Sequence, residues 1–99
     1  MMLDVFSVLD TAVSAFLPPF FARSKGEAIR SFTEASNDSS HQFAKHASDY
    51  VLYRLGAWDD HSGMFSGSEP ERIGSAREFV VDPVRHDRPP LVGNGSIGA

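Results

Sequence analysis

SKGEAIRSFTEAS, residues 24–36, is the stretch from which the fold is read. Ser24 followed three residues later by Glu27 is a capping box, in which both side chains satisfy amides left unpaired at a helix start. The spacing predicts a helix beginning at Lys25. Ala28, Ile29, Phe32 and Ala35 then recur at three- and four-residue intervals and form one buried stripe, while Arg30, Thr33 and Glu34 face water. Ser36, Asn37 and Asp38 end it, because their short polar side chains compete for backbone groups and favour turns.

The flanking segments have the period of strands. Before the helix, Leu3 to Leu9 places Leu3, Val5, Ser7 and Leu9 on one face and Asp4, Phe6, Val8 and Asp10 on the other. Asp10, Thr11 and Ala12 make a turn, and Val13 to Leu17 returns as a second strand until Pro18 and Pro19 remove two backbone donors. Phe20 and Phe21 are expected to be extended and packed on the core. After the helix, residues 38 to 49 are polar, with Phe43 as an anchor and a short helical turn near Ala47. Tyr50 to Trp58 alternates as a third strand with bulk on both faces. Asp59 to Gly63 supplies turn chemistry, so Met64 to Ser66 is expected to return as a short fourth strand.

The fold class that follows is α+β: a small antiparallel sheet of about four strands packed on one helix, in the order β-β-α-β-β. The expected domain is residues 1–66. Residues 67–99 are expected to be an extended or flexible tail, with one short added element near residues 73–81. From Asp82 to Ala99, Pro, Gly, Arg and Asp mix without period.

Composition narrows the function classes. A 99-residue chain makes one small domain with a thin core, and 41% hydrophobic with 22% charged residues is globular usage. The apolar runs are too short to span a bilayer, and Asp4 and Asp10 interrupt the opening MMLDVFSVLD, so no export signal is expected. The absence of cysteine removes disulfides, thiolate chemistry and cysteine zinc sites, and fits a reducing cytoplasm. A net charge of -4 opposes broad electrostatic binding of a polyanion.

No catalytic set is found, and the chain is expected not to be an enzyme. Of His41, His46, His61 and His86, only His41 and His46 approach a ligand spacing, and they fall in a polar loop, so no metal is expected. The DDHSG turn lacks the later ligands of a calcium loop. Asp59 and Asp60 sit at a turn tip open to water, no serine has an activating base, and GNGSIG at residues 93–98 lacks the helix that a phosphate loop needs. No cofactor is expected. One constellation carries a functional reading: Arg23, Lys25 and Arg30 near a helix start, joined by Lys45 and Arg54, with Tyr53 and Trp58 as stacking partners and Phe20, Phe21 and Tyr50 nearby. Cations and exposed aromatics together suit single-stranded nucleic acid. The competing reading makes the cations a solvated face and the aromatics core, and a small core has the greater need of them.

Three stretches carry a family resemblance: MLDVFSVLDTAVSAFLPPFFARSKGEAIRSFTEASND (residues 2–38), HQFAKHASDYVLYRLGAWDD (41–60) and HSGMF (61–65). They resemble the small nonstructural protein of gokushovirus-like Microviridae, the tailless single-stranded DNA phages. The resemblance covers residues 1 to about 66 and rests on structural motifs, so no functional residue is carried over. It implies a product made in the infected bacterium, in the host cytoplasm, acting in the viral DNA cycle. The expected role is a non-enzymatic one in viral DNA replication or genome packaging, through contacts with viral replication or capsid proteins. Alternatives are a phage single-stranded DNA-binding protein and an internal scaffolding component of the particle. Homo-oligomers are expected as well, because one helix leaves a sheet face and an edge strand uncovered.

Overall fold

Met2–Asp10 forms β1, the strand around which the rest is arranged, and Val5 to Val8 at its middle are all buried. The computed structural model describes residues 1–81. Along one edge of β1 run two short strands, β2 (Ala15–Phe16) and β3 (Phe20–Ala22). Along the other edge lies β4 (Tyr50–Asp59), which carries β5 (Phe65–Ser75) on its far side. Every pairing is antiparallel, in the order β2-β1-β4-β5 with β3 also on β1. The architecture is the expected α+β sheet, with five strands in place of about four.

The second strand is shorter than Val13–Leu17. Thr11 to Ser14 form the turn instead: the Asp10 carboxylate accepts from the Ala12 amide at 3.0 Å, and Ser14 adopts φ 56. β2 and β3 are two halves of one strand broken at Pro18 and Pro19. From Leu9 to Phe6, β1 advances three residues while its partner advances four, from Phe16 to Phe20. The extra residue is absorbed where two prolines have no amide to give to the ladder. Ser7, fully buried, fills the break by donating its hydroxyl to the Leu17 carbonyl at 2.5 Å.

The helix α1 (Lys25–Ser36) begins where its cap signal places it. Ser24 Oγ accepts from the Glu27 amide at 3.2 Å, while the Glu27 carboxylate reaches past the cap residue to the Arg23 amide at 2.8 Å. Ala28 and Phe32 are buried, Ile29 and Ala35 partly so, and Ser36 is also buried, its hydroxyl donating to the Phe32 carbonyl. Between residues 38 and 49 a short helix α2 (Gln42–Lys45) precedes the expected turn, a 3-10 turn at Ala47–Asp49. The Phe43 ring is the anchor there, lying 5.4 Å from Phe32 and 4.7 Å from Tyr50. These rings join Phe6, Val8, Ala22, Ala28 and Leu52 in one core between α1 and the sheet.

The larger correction lies beyond Gly63. The fourth strand was expected to stop at Ser66, with an extended tail from residue 67; instead β5 continues to Ser75, so a domain boundary at 66 falls inside a strand. Its residues 65–72 are all exposed, which removes the apolar alternation by which a strand is read. It also bulges: from Arg54 to Gly56, β4 moves two residues while β5 moves four, from Glu71 to Gly67. Pro70 is tolerated in that bulge because the outer side of an edge strand has no ladder partner. Gly56, at φ 155, allows β5 to approach, since a Cβ there would collide with the Ser66 carbonyl. The last helix among the described residues, α3 (Ala76–Phe79), lies within residues 73–81. Ala76 is fully buried, and the Phe79 ring meets Phe32 edge-on at 5.9 Å. The expected tail from Asp82 onward, with His86 and the GNGSIG stretch, lies outside the described residues.

Candidate functional site

Successive side chains of a strand point to opposite faces, so adjacent aromatics in a strand cannot both enter one core. Phe20 and Phe21 divide in this way. Phe20 pairs with Phe6 in register and stacks on it at 5.9 Å beneath α1. Phe21 pairs with Val5 on the face that α1 does not cover. The register then collects a row of rings there. Leu3 pairs with Trp58 and Trp58 with Phe65, and Phe21 lies 5.2 Å from Trp58 and 6.2 Å from Phe65. A second pair sits at the other end, where Ser7 is opposite Tyr53, Leu9 is opposite Phe16, and the rings of Tyr53 and Phe16 meet edge-on at 5.4 Å.

The expectation that these aromatics hold the helix to the sheet therefore fails for five of the eleven, Phe16, Phe21, Tyr53, Trp58 and Phe65. Phe16 is 42% exposed, Phe21 43% and Phe65 64%, and Tyr53 and Trp58 are half-buried among their neighbours. The Trp58 indole N–H has a partner of its own, donating to the Gly63 carbonyl at 3.2 Å. The Asp59–Gly63 turn that orients it is held by the Asp59 carboxylate, which the His61 amide, the Ser62 hydroxyl and a nearby ammonium together keep below the ordinary carboxylate range. Between the two ring clusters, Val5, Leu55, Gly56 and Phe65 line a shallow apolar depression of about 110 Å³.

Two of the basic residues proposed to accompany these rings, Arg54 and Lys25, are held in ion pairs with carboxylates. Arg54 is opposite Phe6, hence on the helix side, and its guanidinium donates to Asp4 Oδ1 at 2.9 Å through Nη2. Lys25 pairs with Glu71 at 3.5 Å. Arg23, Arg30 and Lys45 are exposed, Arg30 on α1 and Lys45 at the end of α2. Tyr53 and Trp58 thus share one face and Arg54 lies on the other, while Tyr50 is buried in the core. Burial pushes the Tyr50 hydroxyl up, with the Asp10 and Asp49 charges adding to it. Arg72, opposite Tyr53, was not among the candidates; it is the one charged residue that the strand register places on the aromatic face, and its Nη2 is 2.5 Å from Glu78 Oε2.

Of the histidines, His41 caps α2, its Nδ1 accepting from the Phe43 amide at 3.0 Å while its ring packs on Phe43 at 4.4 Å. His46 ends the same helix and His61 sits in the turn after β4. Among the described residues no three His, Cys, Asp or Glu side chains gather as metal ligands. No helix among them is long and apolar enough to cross a membrane.

No curated protein and no solved structure matches the chain. A family model described as Phage ORF5 protein matches residues 3–79, from the second residue of β1 to the last residue of α3, so that all of the sheet but Met2 and all three helices lie inside the match. The chain is a phage protein and belongs to the Phage ORF5 protein family.

Proposed function

We propose that this protein is a non-enzymatic accessory protein of a gokushovirus-like microvirus, acting in the host cytoplasm on viral DNA replication or genome packaging through protein contacts. Membership of a phage family supports the setting, and the resemblance of residues 1–66 to the nonstructural protein of those phages supports the role. One observation favours protein over DNA as the partner. The uncovered face presents Phe16, Phe21, Tyr53, Trp58 and Phe65, whereas Arg54 and Lys25 are bound to Asp4 and Glu71 away from those rings. A single-stranded DNA site needs cations along the backbone beside its stacking platform, and an aromatic surface whose strand-paired arginine, Arg72, is bound to Glu78 suits a protein partner better.

The test is affinity purification from infected cells of the wild-type chain and of Phe21→Ser, a change at an exposed ring. The expected outcome is recovery of the viral replication initiator or a procapsid protein with wild type, reduced about tenfold or more with the variant. The DNA-binding alternative is tested by titrating a thymidine oligonucleotide at two salt concentrations. Tight binding with a steep salt slope supports that alternative, and no binding removes it. Presence in purified virions at stoichiometric amounts supports the scaffolding alternative.

A further inference from the structure

We infer that the sheet face left uncovered among the described residues is a self-association surface, which a second copy of this chain covers face to face to make a two-sheet sandwich with a helix layer on each outer side. The inference rests on the reading that this face makes protein contacts, and it names the partner.

Size is the first argument. Each aromatic side chain carries about 150–250 Å². Three phenylalanines near half exposure, with Tyr53, Trp58, Leu3 and Leu9 partly exposed beside them, offer about 500 Å² of apolar surface in one patch. That is at the upper end of what a monomer exposes and supplies most of the roughly 800 Å² per partner of a stable interface. Charge is the second. In a two-fold interface each surface meets itself, so an unbalanced charge near its centre meets its own image. The chain as a whole carries -4, yet Asp4 points to the helix side with Arg54 and Asp10 shares that side, paired with Tyr50. Among the described residues, Arg72 is the one charged side chain that strand pairing places on the open face, and it is paired with Glu78 of the same chain. An acidic molecule thus keeps the paired strands of this face free of unbalanced charge, which suits meeting a copy of itself. Architecture is the third, since a sheet with one bare face buries that face against a second layer, and sheets pack on one another about 10 Å apart.

Edge pairing through β5 is the competing geometry for two copies. It is opposed by Pro70, by the bulge opposite Leu55 and by Glu69 and Glu71, features by which edge strands resist pairing.

Trp58, the one tryptophan, sits on the face and reports on it. Sedimentation equilibrium and tryptophan emission are measured on the full chain over a range of concentrations, with Phe65→Glu and Phe16→Glu as variants at exposed positions and circular dichroism to establish their folding. The expected result is a monomer–dimer equilibrium with a blue shift of Trp58 emission that follows dimer formation. Each variant, compared with its own dilute spectrum, is expected to weaken dimerisation about thirtyfold or more. A dimer that leaves Trp58 emission unchanged and survives both variants overturns the inference in favour of edge pairing. A monomer at all concentrations also overturns it. If those variants still lose the viral protein captured from infected cells, the protein-contact reading stands without the dimer. If instead a thymidine oligonucleotide quenches Trp58 and Phe65→Glu abolishes the quenching, both readings fall.

Discussion

The Ser7 hydroxyl donates to the Leu17 carbonyl at 2.5 Å, across the point where Pro18 and Pro19 interrupt the strand beside β1. A polar residue at the centre of a buried strand is expensive unless it is hydrogen-bonded. Here the serine supplies the donor that two prolines withhold. Ser7→Ala removes that donor and leaves a carbonyl of the broken strand short of a partner. The expected loss of stability is about 1–3 kcal/mol by chemical denaturation. A Ser7→Ala protein as stable as wild type would mean that water serves Leu17 equally well.

Asp4 and Arg54 are joined through Nη2 at 2.9 Å and Nε at 3.3 Å to one carboxylate oxygen, each side chain 29% exposed. Pairing of this kind locks β1 to β4 next to the bulge between Val5 and Phe6. Partial burial makes it worth more than an exposed pair and less than a fully desolvated one, on the order of 1 kcal/mol of coupling. A double-mutant cycle of Asp4→Asn and Arg54→Gln, followed by urea denaturation, is expected to return a coupling of that size. Since Arg54 is already committed to Asp4, Arg54→Gln should leave any weak oligonucleotide affinity unchanged. A large fall in that affinity would return Arg54 to a nucleic-acid role.

The helix was legible because its evidence is local. Ser24, Glu27 and the Ala28–Phe32 spacing lie within two turns of one another, and nothing distant is needed to interpret them. Strand existence was equally legible at Leu3–Leu9 and Tyr50–Trp58, where alternation and bulk are dense. The allocation of aromatics to faces was not, because it depends on register between strands far apart in the chain: Phe21 joins Trp58 only because Val5 faces Phe21 on one side and Gly56 on the other. The placement of Arg54 away from Tyr53 does follow from their adjacency in a strand. Which of the two faced the helix required the bulge at Val5/Phe6. The start of β5 was legible from the turn before it, but its course from Gly67 to Ser75 was not, because an exposed edge strand draws its stability from backbone pairing and carries little side-chain pattern.

Glu78 gives the fold a dependence on acid. Its hydrogen bond from Arg72, helped by the Ser75 amide and hydroxyl, holds its carboxyl below the ordinary carboxylate range. A carboxyl with a depressed value in the folded state is easier to protonate in the unfolded chain, so its stabilising contribution is present above the unfolded value and is lost as pH falls through the folded one. Asp38, held down by the Ser40 hydroxyl and amide, has the same sign. Thermal denaturation of wild type should therefore show stability falling across and below the ordinary carboxylate range. Glu78→Gln should have a shallower fall there, and it should be less stable than wild type at neutral pH. Equal acid slopes for the two proteins would show that the α3 cap does not contribute to the acid response.

The reach of β5 makes a stricter demand on the chain. Ending the protein at Ser66 keeps the first two residues of β5 and removes Ile73, Ala76 and Phe79, all of which pack on the core, together with the strand that pairs with Val51 to Arg54. What stays is β4 as an unprotected edge and a core open at Phe32, where Phe79 had met it edge-on. Burying a phenylalanine or isoleucine contributes about 1.5–3 kcal/mol, and domains hold only about 5–15 kcal/mol in reserve. The truncated chain is expected not to fold cooperatively, and to lose amide protection in β4 as well as in the deleted strand, whereas the full chain protects both. Phe79→Ala in the full chain separates core loss from edge exposure: with its ring partly buried, it should destabilise by about 2 kcal/mol while leaving the β4–β5 amides paired. A cooperative, protected fragment ending at Ser66 would restore a domain boundary at that residue and make β5 an accessory to the fold.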